Sequence, residues 1–298
     1  MNLSHIRFEG IPTRRLTTAG HPSSRAGRDS LVDRPAFVRA PQEPLDGLAA
    51  DILRLAGLNP HVYRRPPLER RVPACLRALK TPSEPAARTR ALSDRHHLTV
   101  AVSALLIGVS SFFRDAAVFE AMRATVIPRL RCRPTIRVLS VGCSSGAELY
   151  SVAILLAEAE LLDRAELIGT DCRADALIDA AAGVFDEQAM AAVPSSLQAR
   201  YFERTGGGWR VSDAIRQSVT WVAADATASI PEGPWDLVLC RNLVIYLQES
   251  TSRVLFRRLT DTLSPGGFLV VGRAERPPAT LPLTALSRSV YQRHDASV

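Results

Sequence analysis

The chain of 298 residues is 46% hydrophobic with a mean hydropathy of +0.03, enough to bury one large or two modest globular cores. Its longest uncharged stretch, residues 98–113, contains three serines and a glycine and is too short and too polar to cross a bilayer. Charged residues also interrupt the first apolar positions, which excludes a secretory signal. The net charge of +7 rests almost entirely on arginine, a bias that we attribute to genomic base composition and not to a nucleic-acid partner.

Five cysteines are scattered along the chain, at positions 75, 132, 143, 172 and 240, and none of them belongs to a Cys-x-x-Cys pair. No cluster of histidines accompanies them. This usage predicts reduced thiols in a cytoplasm and no metal site. Because no stretch could cross a bilayer, a cytoplasmic protein without membrane insertion is expected.

The first 130 residues divide into a leader and a helical region. Residues 1–45 mix Arg, Pro, Ser, Thr and Gly with little periodicity, which predicts a mostly disordered leader. Residues 46–130 follow helical spacing, and Leu48, Ile52 and Leu55 fall on one face of the first helix. Further helices are predicted over residues 92–107 and 118–130.

A basic segment lies between residues 63 and 80. Its cationic residues are Arg64, Arg65, Arg70, Arg71, Arg77 and Lys80. Pro73 predicts that the helix kinks or restarts there. Residues 51–130 carry 13 basic and 6 acidic residues, so the segment is either a solvated face or a docking surface for an acidic partner.

Residues 136–171 are the unit around which the second half is organised. A short apolar strand over residues 136–141 leads into the small-residue turn Gly-Cys-Ser-Ser-Gly at 142–146. A helix over residues 148–160 and a strand over residues 166–170 follow, and the strand ends in Asp171. A strand, a glycine turn, a helix and a second strand with a terminal acid are typical of nucleotide-binding α/β units. The three-glycine dinucleotide pattern is incomplete, so the spacing leaves a nucleoside site and a plain turn equally open.

The remaining segments alternate between strands and helices, which predicts an α/β fold with an open, mostly parallel sheet. The strands are predicted at residues 219–224, 234–240, 268–272 and 287–293, and the helices at residues 174–182 and 252–263. Between them, residues 183–218 contain a predicted helix and a hairpin at the Gly-Gly-Gly of 206–208. Ligands of such sheets bind at the carboxyl ends of the strands, where Asp171, Asp225 and Arg241 are expected.

Five motifs in this order resemble the CheR family of chemotaxis-receptor methyltransferases. They are SFFRD at residues 111–115, GCSSG at 142–146 with Glu148 beyond it, Thr-Asp at 170–171, CRNLVIY at 240–246 and SPGG at 264–267. The resemblance runs from about residue 49 to residue 293. It implies a small α-helical N-terminal domain over residues 46–130 and a Rossmann-like S-adenosylmethionine-dependent methyltransferase domain over residues 131–298. It also implies a small antiparallel β insert at residues 183–218.

The resemblance further implies a reaction and the residues that carry it. The reaction is methyl transfer from S-adenosylmethionine to receptor glutamates, which leaves S-adenosylhomocysteine and needs no metal. By motif position, the residues beside the cofactor would be Ser110, Arg114, Gly142, Glu148, Asp171, Asp225, Ala226, Cys240 and Arg241. Glu148 would hold the amino-acid part and Asp171 the ribose. Arg114 and Tyr246 would be the catalytic pair, beside the methyl group and the incoming carboxylate.

The same resemblance favours the docking interpretation of the basic segment. Arg64, Arg65, Arg70 and Arg71 would bind the cytoplasmic helical domain of a chemoreceptor, and the enzyme is expected to act as a monomer. Departures from the family's pattern keep two alternatives open. Gly108 stands where an Asn is usual, and Ala147 where a Glu is usual. One alternative is a degenerate CheR-like binding or regulatory module without turnover, and the other is a methyltransferase that acts on another acceptor.

Overall fold

The computed structural model describes residues 6–8, 44–106, 108 and 110–294. Most of the predicted leader lies outside these residues. Ile6–Phe8, however, forms a strand, β1, within the segment that was expected to be disordered. Leu45, at the end of the predicted leader, is 1% exposed and packs in a hydrophobic core. These residues bond or pack against parts of the chain that are remote in sequence, and the expectation of a mostly disordered leader stays a prediction.

The N-terminal region is helical, as predicted. Its helices are α1 (Gly47–Leu55), α2 (Arg65–Glu69), α3 (Val72–Ala78), α4 (Glu84–Ser93) and α5 (Arg95–Leu105). Pro73 stands in the first turn of α3, so the helix restarts there. The single helix expected over residues 92–107 is wrong at its start, because Asp94 accepts the backbone N–H of His97 at 2.8 Å and begins α5. Leu48 and Ile52 are buried, but Leu55 is 39% exposed.

A third helical stretch joins this region to the sheet. It consists of α6 (Ala116–Ala121), a π-helical segment (Met122–Val126) and α7 (Ile127–Leu130). Pro128 has no N–H and its ring crowds the preceding turn, which accounts for the wider π-helical turn before it. Residues of this stretch belong to the same buried cluster as α8 (Ala147–Glu158), so it packs with the sheet layer. The domain boundary at residue 130 stays a prediction.

The strands of the main sheet are β1, β2 (Ile136–Val141), β3 (Ala165–Asp171), β7 (Val219–Ala223), β8 (Trp235–Cys240), β9 (Leu263–Val271), β10 (Leu283–Ala285) and β11 (Val290–Arg293). Within the described residues they lie in the order β1-β7-β3-β2-β8-β9-β11-β10. The strands from β1 to β9 run parallel, and β11 and β10 are antiparallel additions at one edge. The α/β architecture predicted from the alternation is confirmed.

Two predictions about the C-terminal strands need correction. The Ser-Pro-Gly-Gly stretch at 264–267, expected to precede a strand, lies inside β9. The strand accommodates it because the register between β8 and β9 shifts after Trp235, which gives the Pro and Gly residues room. The strand expected from residue 287 begins at Val290, and β10 was not predicted.

The predicted insert is an antiparallel sheet. Its strands are β4 (Val184–Phe185), β5 (Phe202–Thr205) and β6 (Gly208–Val211), in the order β4-β6-β5. Helices α10 (Glu187–Met190), α11 (Ser195–Tyr201) and α12 (Asp213–Gln217) surround it, and α9 (Ala174–Ala182) precedes it. The hairpin turn between β5 and β6 falls at residues 206–207, as the glycines predicted.

Two hydrophobic clusters cover the two faces of the main sheet. One contains α8, the stretch from α6 to α7 and the insert, and the other contains α1 to α5 and α13 (Glu249–Asp261). The carboxyl ends of the parallel strands β2, β3, β7 and β8 lie along one edge of the main sheet. No helix of the described residues has both the length and the apolar character that a bilayer crossing requires.

Candidate active site

Two adjoining cavities lie at the carboxyl ends of these strands. The first contains Asp171 and Asp225 in its wall, and we call it the Asp171 cavity. The second contains Arg114 and Glu148, and we call it the Arg114 cavity. Both are lined by Gly108, Gly142, Ser144, Asn242 and Tyr246, so they form one continuous cleft.

The glycine turn after β2 is shaped for close contact. Gly142 and Gly146 have φ angles of +71° and +85°, and a Cβ at Gly146 would lie 2.5 Å from Cη2 of Trp221. The N–H of Gly142 donates to the carbonyl of Thr170 at 2.8 Å. The N–H of Ser144 donates to Asp171 at 2.9 Å. These bonds join the turn to the end of β3, so the two predicted features, the turn and the acid, form one unit.

Asp171 is nearly buried and already bonded. Its two oxygens accept from the backbone N–H of Ser144 and of Arg173, both at 2.9 Å. The Arg173 guanidinium donates to them as well, at 3.1 and 3.3 Å, and the two side chains are 9% and 7% exposed. Arg173 therefore lies in the wall of the Asp171 cavity, a position that the sequence analysis did not consider.

Asp225 and Ala226 follow β7, the strand paired with β3, and line the same cavity as Asp171. The Asp225 carboxylate accepts the backbone N–H and the hydroxyl of Thr227, each at 2.9 Å. This local turn fixes the direction of the carboxylate. The structure thus brings Asp171, Asp225 and Ala226 into one wall, as the motif positions implied.

Glu148 and Arg241 form an ion pair in the Arg114 cavity. Arg241 donates to Glu148 at 2.9 Å and to Asp115 at 3.0 Å, and it also donates to the carbonyl of Arg114 at 2.7 Å. Ser140 donates to the other oxygen of Glu148 at 2.9 Å. The Arg241 side chain is 1% exposed, and its Nε has no hydrogen-bond partner among the described residues. A buried donor without a partner is unfavourable unless a ligand satisfies it.

The turn that carries Arg114 is held from two sides. The backbone N–H of Phe112 donates to Ala189 and that of Phe113 donates to the Ser151 hydroxyl, both at 3.0 Å. The Phe112 ring also packs edge-to-face against Phe185 at 4.7 Å between ring centres. Ser110 and Arg114 consequently line the Arg114 cavity together.

Tyr246 belongs to the loop after β8, which Glu275 organises. The Glu275 side chain accepts the backbone N–H of Asn242 at 2.8 Å, of Val244 at 3.0 Å and of Gly272 at 2.7 Å. Burial raises the pKa of this carboxyl, although the three N–H donors oppose that rise. Glu275 was not predicted as a site residue, because its bonding partners are backbone groups of another segment. The resulting loop directs Tyr246 toward both cavities.

Tyr63 is a second wall residue that the sequence analysis missed. It precedes α2, is 5% exposed and lines the Asp171 cavity. Burial raises the pKa of its hydroxyl, and the neighbouring Cys172, Asp225 and Asp171 raise it further. Its backbone forms an antiparallel bridge with Leu247, just beyond Tyr246.

Other predicted residues are not brought into the cleft. Cys240 is 0% exposed within β8 and lines neither cavity. Among the basic residues predicted to dock a receptor, Arg70 is exposed. Arg64 donates to the carbonyl of Ile245 at 3.4 Å, and Arg71 donates to that of Ala104 at 3.2 Å. Arg65 pairs with Glu69 at 2.6 Å.

A sequence profile described as "CheR methyltransferase, SAM binding domain" matches residues 108–288. The chain belongs to the CheR methyltransferase family. The match begins at Gly108 and includes every predicted cofactor residue, from Ser110 to Arg241. The resemblance inferred from the five motifs is confirmed, and the main sheet is that of an S-adenosylmethionine-dependent methyltransferase.

Relatives of this CheR-family chain include named chemotaxis proteins. It is 35% identical over 189 residues to chemotaxis protein methyltransferase 1 of Pseudomonas aeruginosa, covering 58% of this chain and 68% of the relative. It is 33% identical over 189 residues to chemotaxis protein methyltransferase 2 of Vibrio cholerae, covering 60% and 65%. It is also 30% identical over 275 residues to an uncharacterized 104.1 kDa protein in the hypE 3' region of Rhodobacter capsulatus. That match covers 87% of this chain and 29% of the relative, so the chain spans less than a third of that protein.

No group of three or more His, Cys, Asp or Glu side chains in the described part of this CheR-family chain has the arrangement of a metal site. The polar groups of the cleft are carboxylates, guanidinium groups and hydroxyls. They suit an organic ligand that carries a positive and a negative charge.

Proposed function

We propose that the chain transfers the methyl group of S-adenosylmethionine to glutamate carboxylates of a chemotaxis receptor, forming glutamyl methyl esters. The observation that carries this proposal is that Arg114 and Tyr246 line one cavity with Glu148, and that this cavity opens into the one containing Asp171. The names of the relatives from Pseudomonas aeruginosa and Vibrio cholerae support the link to chemotaxis.

The residues of the cleft fit the cofactor. Its amino-acid part carries an ammonium and a carboxylate, and Glu148 and Arg241 offer the complementary charges. The unsatisfied Nε of Arg241 gives that carboxylate a donor inside the protein. Asp171, at the end of β3, offers acceptors to a ribose hydroxyl pair. Asp225 and Ala226, after the neighbouring strand β7, line the same cavity, and the adenine would lie beside them.

The chain's own residues have a limited chemical task. Bound S-adenosylmethionine supplies an electrophilic methyl group on its sulfonium sulfur. A glutamate acceptor is already ionised near neutral pH, so no side chain has to remove a proton from it. Arg114 can hold the acceptor carboxylate, because a guanidinium binds carboxylates in a fixed geometry. Tyr246 lines the same cavity, and the pair would align the acceptor for in-line transfer.

The basic segment is the proposed docking surface for the receptor's cytoplasmic helical domain. Arg70 after α2, Arg77 in α3 and Lys80 after it are exposed, so they are available to an acidic helix. We propose that the protein acts as a monomer in the cytoplasm.

The test is transfer of radiolabelled methyl groups to a purified cytoplasmic receptor fragment. We expect label that base releases as methanol, and no label on a matched fragment whose candidate glutamates are replaced by alanine. In parallel, calorimetry measures whether the protein binds S-adenosylmethionine. Binding of the cofactor without labelling of the receptor contradicts the proposal and points to one of the two alternatives.

One observation favours the degenerate-module alternative. Both oxygens of Asp171 are already bonded by Arg173 and by backbone N–H groups, so a ribose has to share them or displace the guanidinium. A module of this kind would bind a receptor without methylating it. Its signature is receptor binding by the parent with no measurable affinity for S-adenosylmethionine.

A further inference from the structure

The Tyr63 side chain is buried at the cleft but has no role in the mechanism above. Its side chain is 5% exposed and lines the Asp171 cavity. Its hydroxyl makes no hydrogen bond to any residue that the structure describes. A tyrosine hydroxyl that is buried this far usually has a partner. The free hydrogen-bonding capacity therefore faces the cavity.

The position of this side chain is fixed from the backbone. The N–H of Arg64 donates to the carbonyl of Tyr246, and the N–H of Gln248 donates to that of Val62, both at 2.8 Å. The Gln248 side chain donates to the carbonyl of Tyr63 at 3.0 Å. These bonds bracket Tyr63 on both sides, so little conformational freedom remains to be lost when a ligand binds.

The hydrogen-bonding groups around the cavity are complementary to a sugar hydroxyl. Asp171 and Asp225 are carboxylates, which accept and do not donate. Burial and the neighbouring negative charge raise the pKa of the Tyr63 hydroxyl, so it stays protonated and remains a donor. A ribose hydroxyl donates one hydrogen bond and accepts others. It can donate to Asp171 while it accepts from Tyr63.

We propose that the Tyr63 hydroxyl donates a hydrogen bond to the ribose of the bound cofactor, beside Asp171. This inference rests on the proposed function, because it names a further residue of the same cofactor site. It gives the N-terminal helical region a part in recognising the nucleoside. The alternative is that Tyr63 only packs, in which case its ring matters and its hydroxyl does not.

The experiment uses two ligands that differ at the amino-acid end. S-adenosylhomocysteine carries both the nucleoside and the amino-acid part, and 5'-methylthioadenosine carries the nucleoside alone. Calorimetry measures both dissociation constants for the parent, for Tyr63→Phe and for Tyr291→Phe. Tyr291 lies on β11 and lines neither cavity. Tyr291→Phe removes the same hydroxyl group as Tyr63→Phe, so it is the matched control.

We expect Tyr63→Phe to weaken both ligands by the same factor, about two- to tenfold, which is the range for one neutral hydrogen bond. Tyr291→Phe should leave both unchanged. Glu148→Gln should weaken S-adenosylhomocysteine and leave 5'-methylthioadenosine unchanged, which marks the other end of the ligand. The melting temperatures should match, since the substitution keeps the ring.

Parental affinity of Tyr63→Phe for both ligands overturns the inference and leaves Tyr63 as a packing residue. A loss confined to S-adenosylhomocysteine also overturns it, because the contact then lies at the amino-acid end. If the parent binds neither ligand, both the inference and the proposed function fail. If the parent binds both ligands and the receptor gains no methyl ester, only the proposed receptor reaction fails and the Tyr63 result stands.

Discussion

Backbone strain is concentrated at the cleft. Phe113, Asp115, Ser144 and Asn242 are non-glycine residues with φ angles between 50° and 60°, a region that L residues occupy at a cost of about 1–2 kcal/mol. All four lie in the turns that form the two cavities or support them. The hydrogen bonds that hold these turns, such as those that backbone N–H groups of the Asn242 loop donate to Glu275, offset the strain. The surrounding structure thus holds the cleft in a shape that the local sequence would not adopt alone.

Asp171 is the residue for which a binding prediction is sharpest. Asp171→Asn keeps the size of the side chain but removes the charge and one acceptor. We expect it to weaken S-adenosylhomocysteine by about ten- to a hundredfold, since a lost charged hydrogen bond is worth roughly 1.5–3 kcal/mol. Asp163→Asn makes the same chemical change at an exposed position and should have no effect. Parental affinity of Asp171→Asn in calorimetry would refute the proposed role of Asp171.

Arg173 packs so closely against Gly108 that there is no room for a side chain at this position. A Cβ at Gly108 would lie 2.2 Å from a guanidinium nitrogen of Arg173 and 2.2 Å from the Ser144 hydroxyl. Gly108→Ala therefore has to displace Arg173 from Asp171, and we expect a loss of about 1–2 kcal/mol in the free energy of unfolding. Gly206→Ala, where a Cβ meets nothing within 4 Å, is the control.

A double-mutant cycle separates this mechanism from a general effect of the added methyl group. In an Arg173→Ala background part of the loss caused by Gly108→Ala should disappear, because the clash with Arg173 is gone and only that with Ser144 remains. Urea denaturation of the parent, the two single variants and the double variant measures these losses in the free energy of unfolding. Equal losses in both backgrounds would show that Arg173 is not the group displaced.

At the scale of elements, the basic segment that contains α2 and α3 has some arginines bonded to other segments and others exposed to solvent. Arg64 and Arg71 bond to carbonyls of neighbouring segments, whereas Arg70 and Arg77 are exposed. The double substitution Arg70→Glu and Arg77→Glu should raise the apparent KM for receptor about tenfold at low salt and less at high salt, because exposed charges are screened. Affinity for S-adenosylhomocysteine should not change.

Arg257→Glu with Arg288→Glu is the matched control, since both residues are exposed and the change in net charge is the same. Initial rates of receptor methylation at several salt concentrations give the comparison. If both pairs raise KM equally, overall charge and not the basic segment attracts the receptor.

The elements that could be predicted from the sequence are those whose signals are local. β2, β3 and α9 follow from apolar runs and turn residues inside their own segments. The continuation of β9 through Pro265 depends on a register shift against β8, a relation between two strands that neither sequence contains.

The same distinction explains the site residues. Asp171 ends a strand whose sequence predicts it, and the motifs gave the family positions of Arg114 and Tyr246. Tyr63 and Glu275 reach the cleft through bonds to a loop that is remote from both in sequence, so no local pattern could indicate them.

At the scale of the whole molecule, Arg114 and Tyr246 reach one cavity from different parts of the chain. Arg114 precedes α6 and Tyr246 follows β8. Arg114→Ala and Tyr246→Phe should each lower kcat for methyl ester formation by about ten- to a hundredfold, because positioning supplies only part of the rate enhancement. Melting temperatures should stay near the parent's. Parental kcat in both variants, or a defect that follows loss of folding, would remove the pair from the mechanism.

Strand β1 has a consequence for the order in which the chain folds. Ile6 lies opposite Trp221 in a parallel pair, so a partner on β7 does not exist until more than two hundred further residues have been synthesised. At roughly 5–20 residues per second on the ribosome, that interval is about ten to forty seconds. Contacts between such distant residues also form slowly, because closing the loop between them costs entropy. Ile6–Phe8 is therefore synthesised early but pairs late. The outer edge of β7 has no partner strand until this pairing forms.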